Sequence, residues 1–600
     1  MSTPRAASEA DVCTSRASLD PAAIPAAPGR DLRAVVVVPA RDEAARIGAC
    51  LRALARQCDV PGDSYEVIVI LDGCRDRTQA VAHQMAGRLR RPAIHTVVLS
   101  RSRGVGRARR LGMDLACDRL LRVGAEDGLI ASTDADTEVA DDWLSAQFAL
   151  VSAGAAAIGG MIELDPGEER SLAPPALSAR QARLTRRLEV AGHEGGGGVA
   201  EHPHFSGASL ALTVAAYRRC GGLPVRPALE DEALARALVR QGIPIHRSRR
   251  VRVVTSARTE GRAPRGLSHD LARADWRARH SHRASEYPLE RLLALKQSTV
   301  GLVLPAREVA QTIGPIARTA VRLRDAGLLD DVLVVDAASR DETAAVARAA
   351  GLRVAQENEL RSECGPAQGK GDAMWRGLDA TEAEIVAFVD TDTEDFNEGF
   401  LLGLLGPLLC DPSIQFVKGT FRRPFRAGTT VLAEGGGRVT ELMARPLLNL
   451  HAPELSVFEQ PLAGEAAARR ELLERIPFSA GYGVEIAMLI DSWRACGLEA
   501  LAQVDLGERQ NRHQSLRDLS AMAYAVLVAA HSRFHGAEFA DTHACASMLL
   551  PPTPGSPEEM ELRAVTVEER PPLAGLRAAE AGSGGAHRVD LERASHGAGE

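Results

Sequence analysis

The sequence predicts an α/β protein of two tandem modules, each built on a mainly parallel sheet. Three observations carry that expectation. First, the chain repeats itself. Val36-Val37-Val38-Pro39-Ala40-Arg41 returns as Leu302-Val303-Leu304-Pro305-Ala306-Arg307, and Arg75-Asp76-Arg77-Thr78 as Arg340-Asp341-Glu342-Thr343. Gly104, Gly106, Ala108, Gly112 and Asp114 return as Gly369, Gly371, Ala373, Gly377 and Asp379, at the same offset of 265 as the second pair. A repeat this long marks a duplicated domain, not a solenoid unit. Second, short apolar runs alternate with helical stretches, the pattern of strands joined by crossover helices. Third, in each half one apolar run ends in two aspartates one residue apart, Asp134-Ala135-Asp136 and Asp390-Thr391-Asp392.

The elements follow in order. Residues 1–32 are rich in Ala, Pro, Ser and Asp and read as disordered. Residues 33–266 form the first module. It opens with a buried strand at Ala34–Val38, a loop, and a helix from Glu43. A second strand, Glu66–Leu71, leads through a polar turn to a helix from Thr78; a third, His95–Leu99, precedes the 104–117 segment. Leu129–Ser132 is the strand that delivers the first aspartate pair. Residues 267–297 are charged and read as a helical linker. Residues 298–550 repeat the order of the first module. Residues 551–600 read as a mostly disordered tail, with a docked stretch at Val565–Leu576 left open. Parallel sheets bind ligands beyond the carboxyl ends of their strands, which is where Arg41, Asp72 and Asp134 fall.

Bulk composition removes other classes. Hydrophobic content of 45% and charged content of 25% are ordinary for a globular protein of 600 residues. A net charge of -7 gives no reason to expect nucleic acid. The ten cysteines show no CxxC or Cys/His ligand spacing, so reduced thiols and a cytoplasmic setting are expected. No apolar signal core or run of 18 apolar residues occurs; the most apolar stretch, Phe400–Cys410, is broken by Gly and Pro. Lysine stands only at 296, 370 and 418, every other basic residue being arginine. Lys370 and Lys418 both fall in motif segments, which suggests positions where arginine does not fit. For Lys418, and for Arg422 and Arg423, an anion site and a solvated edge are both open.

Paired aspartates at a buried strand end suit a diphosphate bound through a hard divalent cation. One carboxylate can accept from ribose or water. The other can ligate magnesium or manganese, which offsets charge on a departing diphosphate. An Asp-x-Asp triplet is weak alone. It gains weight because both copies follow Pro-Ala-Arg, a polar turn and a Gly-x-Gly segment in the same order. Gly435–Gly437 lets backbone amides approach an anion, with Arg438 and Thr440 adding a guanidinium fork and a hydroxyl. Lys370 suits a point-charge contact to diphosphate.

Over nearly the whole first module the chain resembles the family-two glycosyltransferases with their GT-A fold. Pro39-Ala40-Arg41-Asp42-Glu43, Asp72, Asp134-Ala135-Asp136 and Glu230-Asp231 carry the likeness. The second half, about 298–545 with traces at Glu569-Arg570-Pro571-Pro572, resembles the glucosyl-3-phosphoglycerate synthases. The segments are Gly369-Lys370-Gly371-Asp372-Ala373, Gly435–Thr440, Gln460-Pro461-Leu462-Ala463-Gly464-Glu465 and Gly481-Tyr482-Gly483-Val484-Glu485. The resemblance implies two tandem GT-A-type domains, UDP-glucose as donor, 3-phosphoglycerate as acceptor and Mg2+ or Mn2+ as metal. Donor contacts are expected from Pro39, Arg41, Glu43, Asp72 and Asp134 in the first half. In the second they are expected from Pro305, Ala306, Glu308, Asp336, Lys370, Asp390, Tyr482 and Arg509. Acceptor contacts are expected from Gly437, Arg438, Val439, Thr440 and Asn511, and metal ligation from Asp136, Asp392 and His513.

Two departures from the family pattern stand out. The donor loop reads Pro305-Ala306-Arg307-Glu308, which moves the acidic contact to the nucleoside onto Glu308. In Arg509-Gln510-Asn511-Arg512-His513 the family's metal histidine aligns with Asn511, yet imidazole is the better ligand, so His513 is favoured. Stereochemistry should also differ between halves. Inversion needs a base on the far face of the sugar, assigned to Asp231 with Glu230 as runner-up. In the second half, Glu485 would orient glucose hydroxyls, and a retaining enzyme lets the departing phosphate take the proton. The expected enzyme is thus bifunctional, with a nucleotide sugar and a phosphorylated small molecule as partners, no integral membrane segment, and a homodimer left open. Two alternatives remain at this point: a sugar nucleotidyltransferase, and a first half that only binds or dimerises.

Overall fold

The computed structural model describes residues 26–194, 200–226, 228–261, 266–427, 430–432, 436–509, 515–536, 546–551 and 560–578. The chain divides into two compact units, Met1–Ala278 and Arg279–Glu600.

The first unit begins with β1 (Ala34–Ala40), α1 (Ile47–Ala55), β2 (Tyr65–Asp72), α2 (Thr78–Arg88), β3 (Ala93–Leu99) and α3 (Val105–Arg122). It continues through β4 (Leu129–Ser132), β5 (Thr137–Val139), α4 (Trp143–Ser152), β6 (Ala157–Leu164), α5 (Pro174–Glu194), β7 (Leu210–Thr213), α6 (Glu230–Arg240), β8 (Ile245–Thr255) and α7 (Leu267–His280). The sheet order is β3-β2-β1-β4-β7-β6-β8-β5. β1, β2, β3 and β4 run parallel, whereas β7 is antiparallel to both its neighbours. Every residue of β1 is buried because both faces are covered. Val36 and Val38 pack with Ile47, Leu51 and Leu54 of α1. Val35 and Val37 belong to the cluster of Ala108, Met113 and Leu120 on α3. The strand's period of two thus divides one apolar run between two cores.

The second unit contains β9 (Ser281–Arg283), β10 (Val300–Ala306), α8 (Ala310–Asp325), β11 (Asp331–Asp336), α9 (Thr343–Ala349), β12 (Arg353–Gln356), α10 (Lys370–Asp379), β13 (Ile385–Phe388) and α11 (Glu398–Cys410). Then come β14 (Phe416–Arg422), a small hairpin of β15 (Phe425–Ala427) and β16 (Thr430–Leu432), β17 (Ala466–Arg469), β18 (Phe478–Ser479) and α12 (Val484–Cys496). β19 (Leu501–Glu508), α13 (Leu516–His535), β20 (Ser547–Leu550), β21 (Glu561–Ala564) and β22 (Glu569–Arg570) complete it. Its sheet order is β12-β11-β10-β13-β17-β14-β19-β9. Each unit is therefore a mixed α/β structure with a Rossmann-like sheet, consistent with a GT-A arrangement.

Several expectations need correction. The first helix starts at Ile47, not Glu43. Asp42 takes a left-handed backbone (φ 49°) and its carboxylate accepts from Arg75 and Asp76 N–H at 2.6 and 3.3 Å, which holds residues 42–46 in a turn. Residues 267–297 are largely helical, at Leu267–His280 and Leu289–Leu295, but they also dock. Leu271 of α7 packs with Leu164, Leu172 and Ala257, while β9 pairs with β19 as an edge strand and Tyr287 and Leu292 enter the second core. Within the leading segment, residues 1–25 lie outside the described residues, but Leu32 is buried and the Ala26 carbonyl accepts from Arg119 at 2.6 Å. In the tail, β21 pairs with β20 and β22 with β18. Leu573 is buried, and Arg570 forks the buried Asp372 at 2.6 and 2.8 Å. The apolar Phe400–Cys410 stretch is the buried helix α11. Among the described residues, no helix is long and apolar enough to cross a membrane.

Candidate active sites

In the first unit a cavity of about 1190 Å³ opens at the carboxyl ends of the parallel strands. Pro39, Arg41, Glu43, Asp72, Asp134, Asp136, Glu230 and Asp231 all line it. β2 ends on Asp72, whose carboxylate accepts from Ser102 Oγ at 2.9 Å and from the Arg103 and Gly104 N–H at 2.7 and 3.0 Å. Arg41 donates to the same Ser102 hydroxyl at 3.0 Å.

Two arginines organise the carboxylates, and the motifs singled out neither. Arg109 on α3 is buried and donates to Asp134 Oδ1 at 2.7 Å, Glu230 Oε1 at 3.2 Å, Ser132 Oγ at 2.6 Å and the Gly207 carbonyl at 3.0 Å. Arg258, beyond β8, grips Glu43 at 2.6 and 2.9 Å and reaches Asp136 at 2.8 Å. Glu43 is therefore turned inward onto Arg258. Burial, then the nearby Asp134, push the Asp136 carboxyl up to about 6, against the pull of Arg258. Glu230 is held by Arg109, whereas the partly exposed Asp231 accepts from Gly207 N at 3.1 Å and Glu232 N at 2.8 Å. Leu229, at φ 59°, turns the chain so that both acids begin α6. Arg109 had one legible signal: it follows Ala108 and precedes Gly112 and Met113 on the buried face of α3.

In the second unit Asp390 follows β13, and its carboxylate sits between two cations, the partly buried Lys370 and the buried Arg509. Lys370 Nζ, on the first residue of α10, pairs with Asp390 and lies 2.7 Å from Glu485 Oε1. Arg509, just past β19, reaches Asp390 at 3.0 Å, Asp392 at 3.1 Å and the buried Glu465 at 2.5 Å. Burial opposes the Asp390 charge, but Lys370 and Arg509 hold the carboxyl well below its ordinary range. Glu465, with burial dominant, is pushed up. The α10 start is packed so closely that a Cβ on Gly371 would stand 1.8 Å from the Ser479 carbonyl, which is why glycine is needed there.

The other sequence candidates are placed as follows. Pro305 and Ala306 end β10. Asp336 ends β11, with Oδ2 accepting from Gln356 at 2.8 Å and Oδ1 buried without a partner among the described residues. Glu308 is exposed at φ 53° and accepts from Arg340 N at 2.9 Å, so it closes the donor loop. Asp336, also expected at the donor, is the buried acid of the two and keeps one carboxylate oxygen without a partner among the described residues. Tyr482 is half exposed. Gly437 has φ 69° and accepts from Glu441 N at 3.0 Å; Arg438 and Val439 lead into the buried Thr440. Gly436 N donates to the Arg423 carbonyl at 3.1 Å. The Arg423 guanidinium lies 4.8 Å from the Phe421 ring centroid and that of Arg509 5.3 Å, which ties the glycine loop to the aspartate pair. Gly435, Asn511 and His513 lie outside the described residues.

Lys418 is not on a solvated edge. It is buried in the middle of the sheet, since β14 lies between β17 and β19, and its ammonium donates to the Ala463 carbonyl at 2.9 Å. Burial pushes it from 10.5 down to about 8. Between those values the unfolded chain binds more protons than the folded one, so stability rises with pH. Urea unfolding from pH 8 to 10.5 should thus show the wild type gaining about 3 kcal/mol on Lys418→Met, at roughly 1.4 kcal/mol per unit. Parallel pH profiles would contradict the burial argument.

Among the described residues no three His, Cys, Asp or Glu side chains gather closely enough to hold a metal alone. The Asp392 side chain is 60% exposed, unlike that of Asp390 at 18%. An exposed carboxylate beside a diphosphate site fits a hard cation that takes its remaining oxygens from phosphate and water.

Sheet, cavity and carboxylates define a glycosyltransferase. Residues 35–199 match the glycosyl transferase family 2 model. The chain belongs to the glucosyl-3-phosphoglycerate synthase family. It is 40% identical to that synthase from Mycolicibacterium smegmatis over 303 residues, half of this chain and 98% of the relative. A mannosyl-3-phosphoglycerate synthase structure from Rubrobacter xylanophilus is 45% identical, covering 51% of this chain and 98% of that one, with a TM-score of 0.46. The Mycobacterium tuberculosis glucosyl-3-phosphoglycerate synthase, solved with Mn2+, UDP-glucose and phosphoglyceric acid, is 39% identical over 48% of this chain and 95% of that one, with a TM-score of 0.43. Membership of a glycosyltransferase family favours glycosyl over nucleotidyl transfer.

Proposed function

We propose that the second unit transfers glucose from UDP-glucose to 3-phosphoglycerate with retention, and that the first unit is an inverting glycosyltransferase with its own acceptor. The observation that carries the reading is Asp390 at the end of β13, bracketed by Lys370 and Arg509, with the glycine loop linked to it through Arg423 and Phe421. Asp336 Oδ1, buried and without a partner among the described residues, supports a nucleoside contact. Glu485, 2.7 Å from Lys370, is placed to accept from a glucose hydroxyl once a diphosphate draws the ammonium away. Asp392 would hold Mg2+ or Mn2+, which supplies charge neutralisation on the leaving diphosphate. His513 and Asn511 remain candidates for the metal and the acceptor. The acceptor's 2-hydroxyl attacks the anomeric carbon, the bond to UDP breaks, and the departing phosphate takes the proton. In the first unit Asp231 removes the acceptor proton, while Glu230 positions Arg109.

Incubating the full chain with UDP-glucose and 3-phosphoglycerate, then reading the product mass and anomeric configuration, tests this. A retained α-linkage with release of UDP is expected; no glucosylated product would overturn it. Arg438, beside the φ 69° glycine, is placed to fork the acceptor phosphate. Arg438→Ala should weaken 3-phosphoglycerate use by about 2–3 kcal/mol, the scale of a hydrogen bond to a charged group. The KM for UDP-glucose should stay unchanged. An effect on UDP-glucose alone would place the glycine loop at the nucleotide.

A further inference from the structure

We propose that the acceptor of the first unit is an anion, a sugar or hydroxy acid bearing phosphate or carboxylate, seated on the arginine face of α5. The inference rests on reading that unit as a nucleotide-sugar transferase. Arg180, Arg183 and Arg187 recur at helical spacing and, with Arg186 and with Arg247 of β8, line the cavity. On the donor side the arginines are matched: the buried Arg109 by Asp134 and Glu230, the partly buried Arg258 by Glu43 and Asp136. On the α5 side the match is short. Arg187 meets Glu232 at 3.0 Å and Arg183 meets Asp270 at 3.2 Å. Arg180 is partly buried and makes no hydrogen bond among the described residues.

His204 records the same excess. Its ring is partly buried, its buried Nε2 has no partner among the described residues, and it lines the cavity. Burial first, then His202, Arg180 and Arg187, hold it down to about 3. Concave sites lined by one sign of charge concentrate the opposite ion, and guanidinium forks match phosphate and carboxylate. The field lies on the acceptor side because Glu232, which Arg187 holds, directly follows the proposed base Asp231. A neutral acceptor would leave the Arg180 guanidinium without a hydrogen-bonded partner. The product proposed for the second unit, a glucosylated phosphoglycerate, belongs to the same anionic class.

Peptide-resolved phenylglyoxal modification of the full chain tests the assignment locally. The probes are UDP, glucose 6-phosphate, 3-phosphoglycerate, the isolated UDP-glucose plus 3-phosphoglycerate reaction product, and glucose as the neutral control. At about ten times Kd the free fraction falls to roughly one-tenth, so an anionic probe that binds should slow modification at Arg180 and Arg186 about tenfold. Glucose should not. Which anion protects distinguishes a sugar phosphate, a free phosphoglycerate and its glucoside. Protection by glucose equal to that by the anions, or protection by none of the four anionic probes at Arg180 and Arg186, overturns the inference. UDP should protect Arg41 and Arg103 instead; failure there sinks the donor reading. Arg180→Gln in the same assay should abolish anion protection at Arg186 while keeping UDP protection at Arg41, and anion protection unchanged at Arg186 overturns the inference.

Discussion

Asp392→Ala should leave the chain without measurable glucosylation of 3-phosphoglycerate, and excess chelator should do the same to the wild type. Both carboxylate oxygens of Asp390 already face cations, Lys370 on one and Arg509 on the other. Asp392 is the exposed member of the pair. It can therefore hold a divalent ion against the diphosphate as negative charge builds on it. Such stabilisation supplies several kcal/mol, so a loss of roughly 10³-fold or more in kcat is expected. Arg509 keeps Asp390 and Glu465 in the variant, so the fold should persist. Circular dichroism and UDP binding without metal check this. Activity that survives both the substitution and the chelator would sink the metal assignment.

A second large effect is expected in the first unit. Asp231→Asn should lower its transfer rate by about 10²–10⁴, the range for loss of a general base. Glu230 cannot easily substitute, because its carboxylate faces Arg109 at 3.2 Å and is buried. Glu230→Gln should instead disturb the Arg109–Asp134 pair and affect donor binding. Glucosylation of 3-phosphoglycerate should be unchanged in Asp231→Asn, since each unit has its own aspartate pair. The comparison is made with the acceptor that protects the α5 arginines. Wild-type turnover in Asp231→Asn, with loss in Glu230→Gln, would exchange the two roles.

Much of the scaffold was legible. The run Leu129–Ser132 is β4 at those bounds, and the Thr78 helix starts where its polar turn ends. Asp72, Asp134 and Asp231 line one cavity although 62 and 97 residues separate successive members. Helix starts and chain ends were less legible. The Glu43 start failed because Asp42 caps a turn formed with residues 75 and 76, a contact across the sheet that no local pattern encodes. The segment 267–297 looked like a connector since its charge is high, yet its few apolar residues, Leu271, Tyr287 and Leu292, were enough to dock it.

By itself the sequence determined the repeated motifs, the buried strands and the carboxylates at their ends, because periodicity and strand-end position are local properties. The tertiary structure alone decided which cation meets which acid. Arg109 and Glu230 stand 121 residues apart, Arg258 and Glu43 215, and Arg509 and Asp390 119. Pairing at such separations depends on sheet order and on how deeply each group is buried. Burial is also what decided Lys418, for which the sequence left an anion site and a solvated edge both open, as a buried brace: a side chain's chemistry is set by its dielectric surroundings and partners, and those exist only once the sheet has formed.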